Sequence, residues 1–201
     1  MSDCAAMDPT SPRTVTWTNM EDGTADDYVE STASFNQHVH DSLTDHLFGL
    51  LRSMQGPRFG YQVDRYRHSL QSATRTLRNG EDTEMVVAAL LHDVGDVVAP
   101  ANHSAVAAEI LKPYVSDRTH WIVRHHGVFQ GYYFFHHVGG DRDAREAFRD
   151  HEWFDDCAAF CNEYDQNCFD PAYDELPLED FRPLVEEVLH RPSRFEMVTL
   201  A

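Results

Sequence analysis

A single lysine, Lys112, stands in a chain of 201 residues, where 16 basic side chains face 34 acidic ones for a formal charge of −18. A chain so poor in positive charge should be repelled by DNA, RNA and anionic lipid, so neither nucleic acid nor a membrane surface is an expected partner. Long apolar runs are also missing. The longest, Met85 to Leu91, is far too short to cross a bilayer. The N-terminal segment MSDCAAMDPTSPRT has no basic stretch followed by an apolar one, so no secretory signal is expected and the cytoplasm is the expected location. Cysteines number only four (Cys4, Cys157, Cys161 and Cys168) and form no CxxC pair, which argues against a thioredoxin-like or zinc-ribbon site. The last three fall on one helical face with Tyr164 and are expected to be buried, inert thiols. Strand-like alternation is confined to short aromatic stretches.

What is present suits a helical domain. Hydrophobic residues make up 42 % of the chain, enough for a core, and the length fits one domain. Residues 1–27, rich in Ser, Thr, Asp and Pro, read as a polar N-terminal arm, and residues 28–201 as the folded domain. Apolar spacing predicts a helix from Tyr28 to Met54, a break at QGPRFG, and a helix from Asp64 to Arg78 closed by Asn79-Gly80. Thr83 is expected to cap MVVAALLHD, which is apolar on every side and should be the central buried helix. His103 or Ser104 opens a helix that stops before Pro113, and Asp117 caps RTHWIVRHH. GVFQGYYFFHHVGG reads as a loop. Further helices are expected over about 141–149, 152–165 and 178–189. The whole is an all-α bundle of six to eight helices.

Thirteen histidines among abundant carboxylates direct attention to metal chemistry. His92 and Asp93 are adjacent at the end of the most buried helix, where a charged Asp is costly unless paired or bound to a metal. His68 lies on the preceding helix, and two helices joined by a short turn pack antiparallel, which brings its early part near that end. His103 opens the next helix, His126 ends the one after, and Asp165 lies in CNEYDQN. Four His and two Asp of this kind suit a two-metal cluster with one bridging carboxylate. His125 competes with His126 for that place.

The order H…HD…H…H…D resembles the HD-domain superfamily. The stretch RHSLQSATRTLRNGEDTEMVVAALLHDVGD is similar to the matching part of the HD-domain mixed-valent diiron oxygenases, which include phosphonate-cleaving enzymes and, more distantly, myo-inositol oxygenase. NHSAVAAEIL, WIVRHHGVFQGYY and FCNEYDQN resemble the later ligand segments, so the likeness spans roughly residues 61–169. It implies a single HD-type helical domain. It also implies one metal held by His68, His92, Asp93 and Asp165, and a second by Asp93, His103 and His126. The cofactor implied is a mixed-valent Fe(II)/Fe(III) pair, and the partners are O2 and a small organic substrate. The reaction implied is oxidative cleavage of a C–C or C–P bond.

A metal-dependent phosphohydrolase acting on a phosphoester or nucleotide is the alternative, since many HD proteins use such ligands to activate water; Mn or another divalent ion would then serve. A degenerate binding module is disfavoured because all six ligand positions are filled. Three further residues are candidates for substrate contact. Asp96 stands where the resembled enzymes carry Lys or His, and an aspartate there should repel phosphate and favour a cation or hydroxyls. Gln130 stands where the phosphonate enzymes have a lysine. Tyr61, like Tyr28, is a candidate lid residue. Arg124, Arg142, Arg145 and Arg149 are the candidate anion contacts, and Trp121, Phe129, Tyr132, Tyr133, Phe134 and Phe135 the candidate aromatic wall.

Overall fold

The computed structural model describes residues 13–195, so Cys4, residues 1–12 of the expected arm and residues 196–201 lie outside the described residues. Among the described residues there are seven α-helices and no strand: α1 (Ala25–Ser53), α2 (Arg65–Arg78), α3 (Thr83–Leu91), α4 (His103–Leu111), α5 (Asp117–Phe134), α6 (Phe154–Phe160) and α7 (Arg182–Leu189). No helix among them is long and apolar enough to cross a membrane. The chain divides into two compact units inside α1, with described residues 13–43 in the first and 44–195 in the second.

In the first unit Asp27 accepts from the Thr24 amide and hydroxyl at 3.0 and 2.8 Å and pairs with Arg13. Tyr28, a lid candidate, is engaged within this unit: its ring lies 5.6 Å from Trp17 and its hydroxyl donates to the Met20 carbonyl.

The second unit is built round α3. Every residue from Met85 to Leu91 is buried, as its all-round apolar sequence predicts. Each Val or Leu so placed contributes about 1.5–3 kcal/mol of burial. The helix starts one residue earlier than predicted: Asp82, not Thr83, is the cap, its carboxylate accepting from the Met85 amide at 2.8 Å. α2 packs along α3, α4 along α5, α6 against α5 and α7 against α3. The short link from Asn79 to Asp82 turns α2 and α3 antiparallel, so the start of one reaches the end of the other.

Two departures from the sequence reading matter for the site. GVFQGYYF is not a loop, because α5 runs unbroken to Phe134. Gly127 and Gly131 sit inside it because neighbours crowd them: a Cβ would lie 2.7 Å from the Ser104 hydroxyl at the first and 2.3 Å from the Phe135 ring at the second. The segment expected to run as one helix over 152–165 is α6 followed by a π-helical turn, Cys161–Asp165. Cys157, Cys161 and Cys168 are buried free thiols, as expected. Burial pushes the Cys168 thiol up to about 12. Before α2, Phe59 holds φ at +50°, a left-handed conformation that costs a bulky residue on the order of 1 kcal/mol.

Candidate metal centre

Six side chains converge where α2 begins and α3 ends. His68 comes from the second turn's edge of α2, and His92 is the C-cap of α3. The chain leaves helical geometry at Asp93 (φ −98°, ψ 3°), which turns its carboxylate inward beside the His92 ring. His103 opens α4, His126 lies midway along α5, and Asp165 ends the π-helical turn. All but His103 are buried. The π-helical turn adds a residue to the turn and re-aims Asp165, a device common at functional sites.

The imidazoles are fixed from behind. Nδ1 of His92 meets the Ala89 carbonyl at 2.8 Å, that of His126 the Val123 carbonyl at 2.6 Å, that of His68 the Cys168 carbonyl at 3.2 Å, and that of His103 the Pro100 carbonyl at 3.3 Å. A carbonyl only accepts, so each Nδ1 carries the hydrogen and each Nε2 keeps its lone pair. Those lone pairs meet in twos. His68 and His92 Nε2 are 3.2 Å apart, and so are His103 and His126 Nε2. Two bare nitrogens at that distance repel unless a cation or a proton lies between them.

Asp93 joins the two pairs. Its Oδ2 is 3.5 Å from Nε2 of both His68 and His92. Its Oδ1 is 3.2 Å from His126 Nε2 and 3.5 Å from His103 Nε2. Asp165 Oδ1 completes the first group, 3.3 Å from His68 and 3.9 Å from His92. Ligands at 2.0–2.2 Å from one ion lie about 3.0–3.5 Å from their cis neighbours, so most of these spacings suit metal coordination. His68–His92–Asp93 and Asp93–His103–His126 each bring their ligand atoms within 4.8 Å. The buried Asp165 Oδ2 has no hydrogen-bond partner, as a coordinating oxygen would leave it. The donor set therefore fits divalent metal.

The cluster's electrostatics agree. Burial drives the His92 pKa down to about 4 and keeps the imidazole neutral, the form that binds metal. Burial opposes charge on Asp93 and Asp165, yet the surrounding imidazoles hold both carboxyls below the usual carboxylate range. Burial also lowers His126, but its contact with Asp93 outweighs this and leaves its pKa raised.

His125 does not join the cluster. Its Nδ1 meets the Trp121 carbonyl at 2.8 Å and its ring stacks on Trp121 at 4.2 Å. Trp121 and Phe129 belong to that same packed aromatic group, with Phe148 and Phe154, so they do not wall the site. Tyr132 is sandwiched by Arg142 and Arg145. Of the predicted aromatic wall, Tyr133 and Phe134 reach the cavity, about 260 Å³, that opens on Asp93, His103, His126 and Asp165.

Gln130 lines this cavity and donates to Asp165 Oδ1 at 2.8 Å. Tyr61 lies at its edge, stacked on Phe169 at 4.8 Å, and Phe169 stacks on the His68 ring at 4.5 Å. Asp96 lines a neighbouring cavity instead. Sequence reasoning missed Phe169 and Arg65. None of the four predicted arginines lines the cavity at the cluster; Arg65 does, 3.4 Å from Asp96 and 3.7 Å from Asp93. An available signal was its place one turn before His68 on the same helix. Arg65 and His103, whose Nδ1 lies 3.3 Å from Asp96, offset the Asp96 charge. Asp96 therefore opposes an anionic substrate less than an unpaired aspartate would.

The HD-domain family model matches residues 65–165, the span from the first turn of α2 to the last cluster residue. No curated protein matches the chain.

Proposed function

Because the chain belongs to the HD-domain family, we propose that it is a metal-dependent enzyme with a dinuclear centre. We read it as an HD-type diiron oxygenase that cleaves a small hydroxylated or amino-bearing substrate with O2. The observation that carries the dinuclear reading is Asp93, whose two oxygens each face a separate pair of imidazole nitrogens. His68, His92, Asp93 and Asp165 would hold one metal, and Asp93, His103 and His126 the other. The oxygenase reading is supported by the sequence likeness over residues 67–96. A mixed-valent iron pair would supply redox chemistry with O2 and sites for substrate oxygens.

The chain's own residues set the conditions. Backbone carbonyls fix the imidazole tautomers, so the nitrogens are aimed before any metal arrives. Gln130 holds Asp165 by its amide. Phe169 and Tyr61 cover the His68 side and limit water there. Arg65 at the cavity orients an oxygen-rich group of the substrate.

Arg65 also favours the second reading, a phosphohydrolase, since a guanidinium beside a metal pair suits a phosphoester. Substrate screens separate the two. The iron-loaded protein is expected to consume O2 with polyols, amino alcohols or hydroxy acids. Phosphate release from nucleotides or phosphoesters by the Mn-loaded protein, with no O2 uptake by the iron form, would replace the oxygenase with the hydrolase.

A further inference from the structure

Two cavities meet at Arg65. The cavity at the cluster, about 260 Å³, is at the low edge of the roughly 300–1,000 Å³ usual for small-molecule sites. A second cavity of about 600 Å³ lies against the Arg65–Asp96 pair, and Arg65 and His103 line both. Beyond Arg65, Asp96 and His103 its lining is mainly apolar, with Met54, Pro57, Phe59, Val97 and Pro100 beside the polar Ser53 and Gln55. Phe59, at its rim, is 78 % exposed and held at φ +50°, against the preference of a bulky residue. Val97 is 40 % exposed beside it. A large aromatic held out over an apolar cavity is unfavourable in water and becomes favourable once apolar matter covers it. The Arg65–Asp96 contact, at 3.4 Å, is longer than a charge-assisted hydrogen bond of about 2.7–2.9 Å.

We propose that the second cavity is a tail subsite of the same centre. The substrate is then an amphipathic molecule, with an oxygen-bearing head at the histidine–aspartate cluster and an apolar chain that passes Arg65 and Asp96 to lie beneath Phe59. The assignment of the head rests on the cluster being the reaction centre. The tail subsite rests only on the second cavity and on Arg65 and His103, which line both cavities.

The test is calorimetric binding of straight-chain 2-hydroxy acids, from three to eight carbons, to the metal-loaded protein. Affinity is expected to rise about twofold to fourfold per added methylene, as burial of each CH2 requires. Phe59→Ser and Val97→Asn should each flatten that rise while metal content stays at the wild-type level. Affinity independent of chain length, or a rise that survives both substitutions, would overturn the subsite. A rise that both substitutions flatten, in protein that binds no metal, would support the tail subsite and remove the reaction assigned to the cluster.

Discussion

At the scale of single residues, the account turns on which side chains share a metal. Asp93 faces both imidazole pairs, so Asp93→Ala should lose both ions, whereas His103→Ala should lose one and keep the other. His125→Ala should keep both, because His125 points into the Trp121 aromatic group. Metal analysis beside far-ultraviolet circular dichroism checks all three, with the helical signal largely retained. Full metal content in Asp93→Ala would remove the bridge. Protonation offers a second check. In metal-free protein His92 stays neutral down to about pH 4, while His126, raised by Asp93, takes a proton above the ordinary histidine value. The two act oppositely on stability. The depressed His92 removes stability as pH falls from about 6.5 to about 4, whereas the His126–Asp93 pair adds stability at low pH that is lost as pH rises through the raised pKa. Metal loading should therefore weaken first at the site containing His126 as pH falls, since a protonated imidazole has no lone pair to give. Histidine ring resonances followed by NMR against pH would show that order, and a reversed order would contradict it.

At the scale of elements, the site depends on close approaches that the sequence marks only by glycine. A Cβ at Gly95 would lie 2.5 Å from the His103 backbone carbonyl oxygen, and backbone cannot step aside. Gly95→Ala should displace the start of α4, cost about 1–3 kcal/mol as overpacking does, and lower metal content at the His103 site. Gly127→Ala crowds the movable Ser104 hydroxyl at 2.7 Å, with the His103 ring at an ordinary 3.7 Å, and should cost less. Thermal melts and metal analysis of the two variants make the comparison. The same glycines explain what was misread in the sequence. Gly127 and Gly131 look like loop punctuation, yet both lie inside α5, and they are glycine because Ser104 and Phe135 fill the space a side chain would need. The antiparallel placement of α2 and α3 was legible, because a short polar link between two apolar-faced helices leaves few alternatives. The π-helical turn was not, since periodicity does not distinguish one extra residue in a turn from continued helix.

At the scale of the whole molecule, the all-helical architecture could be read from the sequence, and the HD pair with the histidines spaced along neighbouring helices pointed to one site, to which the likeness of FCNEYDQN added Asp165. Phe169 could not, because an aromatic in a proline-marked loop carries no local sign of facing inward, and Arg65 was marked only by its place one turn before His68 on α2. Imidazole nitrogens that face each other at 3.2 Å destabilise the site unless a cation or a proton lies between them. Metal loading at 100 times the dissociation constant should add about 2.7 kcal/mol. That corresponds to roughly 5–10 °C in melting temperature for a chain of this size, reversed by chelation. A chelator-insensitive melt would show that the cluster is a structural network and not a metal centre. The dinuclear iron assignment itself meets its most direct test in low-temperature electron paramagnetic resonance of iron-loaded, partially reduced protein. Two irons per chain with the signal of an antiferromagnetically coupled Fe(II)/Fe(III) pair are expected, and a single uncoupled iron per chain would contradict the assignment.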